Sequence, residues 1–299
     1  MSKQGTIRRY SLILEKIRRN QYPSFETIKD YLYEFGFNIS LRTIQRDIQQ
    51  IREEFGVEIT YNRVKNGYYI DYESSVNIES FFKFLEIVDT AELLTENLRE
   101  SKETLNYISF EDVGNHKGIQ NLKPILQAIK STQVISFLHY NFHTNKRKQY
   151  SIKPYLLKEY QSRWYVVGVI DELDEFRTFG IDRIENLEVT ATQFKRDSQK
   201  NGHELFANII GVVYSINELQ KVVLSFTPAQ GKYIKTLPLH YSQKIIIDNE
   251  IELRIELFIQ PNYELTQKIL MNGEAVKVIE PKWLADEIKY IAKVIVEKY

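Results

Sequence analysis

The sequence contains no cysteine among its 299 residues. Disulfide bonds and thiolate zinc sites are therefore excluded, and a chain of this kind fits the reducing interior of a cell. The sequence also has no run of about 18 apolar residues, which a membrane-spanning helix needs. Its first five residues lack the apolar core of a secretion signal. We therefore expect a cytoplasmic protein without contact to a membrane.

The motifs of common enzymes are missing as well. There is no glycine-rich phosphate loop, and no serine, histidine and aspartate in the setting of a nucleophile. His139 and His143 are four residues apart, but no third metal ligand lies nearby, so we interpret them as incidental histidines. The acidic run 171–175 lies at a predicted hairpin turn and is interpreted as solvated. An enzyme is the minor hypothesis, and we expect no catalytic residue, no cofactor and no metal.

An excess of one sign of charge is also lacking, because 40 Lys and Arg balance 40 Asp and Glu. The distribution is uneven: residues 1–72 contain 12 Lys and Arg against 9 Asp and Glu. A mildly basic head on a mildly acidic body suits a protein that presents one end to phosphate groups.

Residues 1–56 show three apolar stripes with helical spacing, around Leu14, Ile28 and Ile48. The third helix is expected to begin after a Ser40 cap and to end at Gly56. Its stripe consists of Ile44, Ile48, Ile51 and Phe55 at i, i+4, i+7 and i+11. An alternating segment with Asn-Gly at 66–67 then predicts a hairpin with a two-residue turn. Three helices, with a short turn between the second and third, and a hairpin predict a winged helix-turn-helix over residues 1–72.

With its stripe facing the core, the third helix turns its polar residues outward. Arg can pair with guanine, Gln with adenine, and Thr can contact phosphate or the thymine methyl group. On a lone helix such residues would merely be solvated, but the stripe, the short turn and the hairpin together favour DNA binding. We assign Arg46 and Gln45 to base edges, Thr43 to phosphate, and Asp47 to a local cap or pair. The predicted DNA-binding residues are Ser40, Arg42, Thr43, Gln45 and Arg46 on the helix, and Arg63 and Lys65 on the hairpin.

The remaining chain divides into three parts, so the expected fold is multidomain α+β. Residues 73–118 are a predicted helical linker, whose helix 78–100 has surplus apolar residues that suggest packing against a second chain or a neighbouring domain. Residues 119–197 contain short strands after one helix, which indicates a small barrel. Residues 203–299 mix strands and helices in a small α/β sandwich, with one strand that alternates apolar and charged residues around Ile255.

Several segments resemble known families. Residues 40–48 (SLRTIQRDI) with 66–69 (NGYY) resemble the helix-turn-helix and wing of bacterial regulators of the DeoR-like type. The segments that resemble the WYL domain are 153–156 (KPYL), 163–166 (RWYV) and 177–184 (RTFGIDRI). The segments that resemble the WCX extension are 239–243 (LHYSQ) and 273–281 (GEAVKVIEP). The resemblance covers nearly the whole chain, and its WYL part is the most specific.

This resemblance implies a transcriptional regulator that is a homodimer and usually a repressor. It implies that the WYL domain is an Sm-like β-barrel that senses a nucleic-acid fragment or nucleotide. Some relatives with the same order of winged helix-turn-helix, WYL domain and WCX extension control phage-defence operons, and others respond to DNA damage. A single helix-turn-helix contacts little DNA, so we expect double-stranded DNA with an inverted-repeat operator as the partner of a two-fold dimer. The ligand-binding residues carried over are Tyr140, Arg163, Tyr165, Arg177 and Arg183.

The residue pattern permits such a ligand. Arg163 and Tyr165 share parity on one predicted strand, and Arg177 and Phe179 share parity on the next. A guanidinium and an aromatic ring can thus project together and suit a phosphate with a stacked base.

Other interpretations stay open. Trp164 and Phe179 can be core residues, which we favour for Trp164, and Arg177 can pair with Glu175 or Asp182. Gly180 stands where relatives often carry a basic residue, which weakens the case for a strongly anionic ligand. The alternative function is an accessory protein that modulates an effector through nucleic-acid binding and does not bind an operator.

Overall fold

A computed structural model describes residues 3–20, 22–76, 78, 81–88, 117–142, 144–170, 173–214 and 217–299. The chain divides into two compact units, residues 1–111 and 112–299. Residues 78 and 81–88 are helical, whereas the rest of the predicted linker helix, residues 79–80 and 89–100, lies outside the described residues. Within the described part, none of the helices combines the length and apolar character that crossing a bilayer requires.

The first unit begins with three helices followed by a two-stranded antiparallel hairpin. The elements are α1 (Lys3–Arg19), α2 (Phe25–Glu34), α3 (Leu41–Phe55), β1 (Ile59–Asn62) and β2 (Gly67–Ile70). The predicted stripe of α3 is confirmed, because Ile44, Ile48 and Ile51 are buried in the core of this unit. Gly56 ends α3 in the left-handed conformation that glycine adopts without strain.

The hairpin differs from its prediction in the length of its turn. Asn62 pairs with Gly67, so four residues, 63–66, separate the strands instead of two. The Asn62 carboxamide oxygen accepts hydrogen bonds from the backbone amides of Val64 and Lys65 and thereby holds this longer loop. Only Asn66 adopts a positive φ, at 52°.

Gly67 is required for close packing. A Cβ atom at this position would lie 2.0 Å from the carbonyl oxygen of Tyr22. Its lack of a side chain therefore lets the second strand approach the connection between α1 and α2.

The second unit contains two antiparallel sheets. The first is preceded by helix α4 (Leu122–Lys130) and consists of β3 (Gln133–Asn141), β4 (Lys146–Tyr160), β5 (Arg163–Ile170), β6 (Glu175–Gly180) and β7 (Ile184–Gln193). Its order is β6-β5-β4-β3-β7. The predicted barrel is not closed among the described strands: β6 and β7 are joined by the 3-10 turn Ile181–Arg183, but they are the two edges of an open sheet.

Both faces of this sheet carry apolar residues. On one face, Val166, Phe179 and Phe137 belong to a core that α4 covers through Ile125 and Ile129. On the other face, Val167 packs against Phe206, Ile209 and Val212. These last residues follow the predicted boundary at 203, and the short helix α5 (Glu204–Ala207) begins this segment. The segment thus contributes to the core of the first sheet.

The second sheet has the order β11-β8-β10-β9 and is flanked by helices. Its elements are β8 (Gln220–Phe226), α6 (Pro228–Thr236), β9 (Lys244–Asp248), β10 (Leu253–Ile259), α7 (Tyr263–Met271), β11 (Val276–Glu280) and α8 (Lys282–Val296). The predicted alternation on β10 is confirmed: Leu253, Ile255, Leu257 and Ile259 are buried. Ile251 continues the same alternation in the sequence, but it precedes the strand and is exposed.

Candidate nucleic-acid interface and sensing surface

The outward face of α3 carries four exposed polar side chains: Arg42, Gln45, Arg46 and Gln49. The Gln49 amide donates to the Glu53 carboxylate at 2.7 Å, so Gln49 is already engaged. Gln45 and Arg46 have the donor pattern that base edges require. This face therefore offers a short, polar reading surface one turn from the start of the helix.

Ser40 and Thr43 shape the beginning of α3. The Ser40 hydroxyl accepts a hydrogen bond from the Thr43 backbone amide at 3.2 Å, and the two hydroxyl oxygens lie 3.1 Å apart. One amide of the first turn is thus capped by the protein itself. The helix N-terminus remains electropositive and suits a phosphate nearby.

Two basic side chains, Arg63 and Lys65, are exposed on the hairpin loop 63–66. The ammonium of Lys65 lies 4.0 Å from the centroid of the Tyr22 ring, which restrains it by a cation–π contact. Val64, at the tip between them, is 95% exposed. Sequence reasoning passed over Val64, because a single apolar residue in a turn carries no signal of its own.

The hairpin is fastened to the helices on both sides. The Tyr68 amide donates to the Pro23 carbonyl at 2.9 Å, and the ring of Tyr68 packs edge-on against Phe25. From α3, Arg52 donates to the Ile59 carbonyl at 2.6 Å and lies 3.2 Å from the Glu58 carboxylate. Loop 63–66 and the outward face of α3 are therefore held in a fixed relation.

Asp47 does not share that outward face. Its carboxylate is buried and accepts two hydrogen bonds from the Arg9 guanidinium, at 2.8 Å from Nε and 3.1 Å from Nη2. The expectation that Asp47 does not contact DNA fits this position. The partner lies on α1, 38 residues away, so the pair is not local.

In the second unit, Arg163, Tyr165 and Arg183 come together around one carboxylate. Asp182 Oδ2 lies 3.8 Å from Arg163 Nη1, and Asp182 Oδ1 lies 3.7 Å from Arg183 Nε. Burial raises the pKa of the Tyr165 hydroxyl, which the Arg163 charge opposes. Two guanidiniums thus share one carboxylate at distances longer than hydrogen bonds, which leaves donors for an anionic group.

Gly180 provides the space for this cluster. It lies opposite Tyr165 across the strands. A Cβ atom there would lie 2.6 Å from Asp182 Oδ1 and 2.8 Å from Arg183 Nη2. A side chain at this position would displace Asp182 and Arg183. The glycine, where relatives often carry a basic residue, thus has a local steric reason.

Arg177 does not join the cluster. Arg177 pairs with Gly168, and Phe179, two residues further along β6, pairs with Val166. Arg177 therefore lies on the same face of the sheet as Phe179 and Val166, which belong to the core under α4. Alternation places it on the face opposite Arg163 and Tyr165. The expectation of one joint surface is wrong, since parity within each strand does not show which residues of two strands share a face. Within the described residues, Asp182 pairs with Arg163 and Arg183 instead of Arg177.

Tyr140 lies at the hairpin between β3 and β4. Its hydroxyl donates to the Asn145 carboxamide oxygen at 3.1 Å, and its ring packs edge-on against Phe142. Phe142 is 57% exposed, and the Arg183 guanidinium lies 5.0 Å from its ring centroid. Phe142 connects Tyr140 to the arginine cluster and offers a face for stacking. Sequence reasoning missed it, because its position depends on the turn that follows β3.

His139 is buried beside the cluster, against Phe179 and Tyr150. Burial lowers its pKa to about 4, with a further contribution from the positive charge of Arg183. The ring is therefore neutral near pH 7. His143, its predicted companion, lies outside the described residues, and no group of metal ligands is found among those that are described.

The core assignment is correct for Phe179, which is buried, and wrong for Trp164, which is 38% exposed. Trp164 is the second residue of β5 and lies opposite Glu159. The first two residues of β5 are exposed, and only the later part of the strand is buried. Trp164 therefore stays at the surface.

Residues 120–189 match the family model of the WYL domain, and residues 218–296 match that of the WCX domain. The chain therefore contains both domains. None of the curated proteins matches it. Among solved structures, it is similar to the proteasome accessory factor B/C (PafBC) of Arthrobacter aurescens, with 18% identity, a TM-score of 0.32 and coverage of 96% of this chain. A CRISPR Cas-related protein has 14% identity and a TM-score of 0.41, and the match covers 99% of this chain and 85% of the other. The chain spans 46% of the length of the PafBC chain.

Proposed function

We propose that this chain is a sequence-specific DNA-binding transcriptional regulator, a dimeric repressor whose WYL domain senses a nucleic-acid fragment or nucleotide. In this proposal, residues 1–72 are a winged helix-turn-helix, and the hairpin is its wing. In this proposal, the protein acts in the cytoplasm and is not an enzyme.

The observation that carries the proposal is the fixed relation between α3 and the wing. Arg46 and Gln45 are exposed on α3, and Arg63 and Lys65 are exposed on the wing loop. Arg52 connects α3 to the wing strand by a hydrogen bond. The two surfaces therefore bind DNA without a large loss of conformational entropy. Arg46 and Gln45 read bases in the major groove, whereas Lys65 contacts the flanking backbone.

The sensing role rests on the Arg163–Asp182–Arg183 cluster. An anionic ligand replaces the shared carboxylate as the partner of the two guanidiniums, and a base stacks on a nearby ring such as Phe142. The ligand changes operator affinity only through its different affinity for the DNA-competent and DNA-incompetent states. The sheet is Sm-like in this proposal, although open.

The test is to sequence the genomic DNA that the purified full chain retains. We expect enrichment of an inverted repeat with half-sites one or two helical turns apart, at about 10 base pairs per turn, and binding that weakens steeply with salt. Equal retention of random fragments would contradict sequence-specific recognition. No retained DNA at all would instead favour the accessory protein.

A further inference from the structure

Glu264, in the first turn of α7, is a buried carboxylate with one unsatisfied oxygen. The side chain is 4% exposed. Its Oε1 atom accepts hydrogen bonds from the backbone amides of Val212 and Val213, at 3.0 and 2.9 Å. Its Oε2 atom has no partner among the described residues. Because a buried acceptor without a donor is unfavourable, this oxygen is suited to a donor from outside the chain.

Lys158 of β4 is a partly buried cation near this carboxylate. Its ammonium lies 4.5 Å from the centroid of the Phe206 ring. Burial lowers the pKa of Lys158, and the negative charge of Glu264 opposes this shift. No direct ion pair joins the two groups in the part of the chain that the structure describes. The two opposite charges thus act on each other without being in contact.

Lys158 also continues the surface of the arginine cluster. It lies directly opposite Tyr165, and the next pair on the same face of the β4–β5 hairpin is Tyr160 with Arg163. Burial raises the pKa of both tyrosines, and the Glu264 charge adds to this increase. One surface therefore runs from Arg163 past two partly exposed tyrosine rings to Lys158 and Glu264.

An ammonium beside a free carboxylate oxygen is complementary to a particular kind of base edge. The ammonium requires an acceptor, whereas Oε2 requires a donor. Guanine presents the carbonyl O6 next to two donors, N1–H and N2–H, on its Watson–Crick edge. Adenine and cytosine present one amino donor beside a ring nitrogen, and thymine places a second carbonyl where it would meet the carboxylate. Guanine therefore matches the two charges best.

We propose that Lys158 and Glu264 form a base subsite that selects guanine in a nucleotide or single-stranded nucleic-acid ligand. The Lys158 ammonium leaves the Phe206 ring to donate to O6, and this movement opens Oε2 to N1–H and N2–H. The base stacks on Tyr165. The inference rests on the proposed function, because Arg163 and the rest of its cluster bind the phosphate of the same ligand.

The test compares short single strands as probes of the full chain. The probes are 5′-phosphorylated hexanucleotides with guanine, hypoxanthine, adenine or cytosine as the first base, followed by thymines. We expect the guanine strand to bind about tenfold more tightly than the adenine and cytosine strands in calorimetric titrations. The hypoxanthine strand, which keeps O6 and N1–H but lacks the amino group, should be intermediate. Equal affinity for all four strands would overturn the subsite.

Glu264→Gln changes the charge and keeps the shape of the side chain. The carbonyl oxygen of the new amide can accept the two backbone hydrogen bonds, while its NH2 group replaces Oε2 and opposes the guanine donors. We expect this variant to lose the preference for guanine. Glu274→Gln is the matched control, because Glu274 is exposed in the same domain, and it should keep the preference.

Lys158→Met removes the ammonium and keeps an apolar chain against Phe206. We expect it to weaken binding of the guanine strand about tenfold, whereas the exposed control Lys195→Met should bind like the wild type. An unchanged preference for guanine in both Glu264→Gln and Lys158→Met would refute the assignment. If Glu264→Gln does not fold, Lys158→Met and the hypoxanthine strand on the wild type decide.

Operator titrations of the wild type separate the possible failures. Binding of operator and of all single strands alike would overturn the guanine subsite and leave the proposed regulator intact. Binding of operator but of none of the strands would overturn both the subsite and the sensing role. A preference for guanine without any operator binding would support the subsite and contradict the proposed regulator.

Discussion

The guanidinium of Arg9 and the carboxylate of Asp47 form a buried bidentate ion pair that joins α1 to the middle of α3. The two side chains are 2% and 0% exposed. Asp47 directly follows Arg46, which we assign to base recognition. The pair therefore anchors the inner side of the helix whose outer side is proposed to read DNA.

The first prediction concerns this pair. Asp47→Ala removes the carboxylate that neutralises the buried Arg9 charge, so we expect a loss of about 3–5 kcal/mol in the free energy of unfolding of the first unit. Glu26→Ala is the control, because it removes an exposed pair with Lys29, for which we expect about 1 kcal/mol or less. Urea denaturation followed by circular dichroism measures both. Equal small losses would contradict the anchoring role, and the double variant Arg9→Met/Asp47→Leu should recover much of the stability.

The second prediction separates base recognition from backbone contact. Arg46→Ala should cost about 1–3 kcal/mol of binding to the operator and relax the preference at one base position. Lys65→Ala should weaken binding to all sequences alike and reduce the slope of the salt dependence by about one. Titrations of operator and random duplexes at several salt concentrations measure both effects. The assignment is wrong if both variants lose the same affinity for the two DNAs.

The sequence predicted α3 well, because its apolar stripe is a local pattern that one helix displays by itself. The Arg9–Asp47 pair escaped prediction, since nothing local marks two charges on different helices as partners. The Arg177 assignment failed for a related reason. The side-chain direction alternates along each strand, and a shift of one residue in the pairing of β5 and β6 exchanges the faces. The sequence shows parity within one strand, whereas the register depends on the turn between the two.

The third prediction follows from His139. Its pKa is lowered to about 4 in the folded state, below the ordinary 6.5, so the unfolded chain binds a proton that the folded site does not. The stability contribution is fully present above pH 6.5 and decreases as the pH falls from 6.5 towards 4, by up to about 3 kcal/mol. Fluorescence of Trp164 and Trp283, both in the second unit, reports this unfolding. His139→Phe should flatten the pH dependence in that range.

The matched control for His139 is His203→Phe, because His203 is exposed on the same unit. That variant should keep the wild-type dependence on pH. If His139→Phe and the wild type lose stability in parallel, the buried ring does not carry the effect.

The last prediction concerns the response to a ligand, with a short oligonucleotide as the probe. A hundredfold release from the operator requires about 2.7 kcal/mol of coupling between the two sites. Arg163→Ala removes one guanidinium of the cluster, and Gly180→Ala introduces a Cβ atom within 3 Å of the Asp182 and Arg183 side chains. Both variants should bind operator like the wild type but should bind the oligonucleotide weakly and fail to release DNA.

Arg177→Ala is the matched control: it removes the same charge from the opposite face, and it should retain both binding and release. Competition titrations on operator duplexes measure all three variants. Normal release by Arg163→Ala and Gly180→Ala would show that the cluster does not bind the ligand. Loss of release only in Arg177→Ala would show that the ligand binds the other face of the sheet.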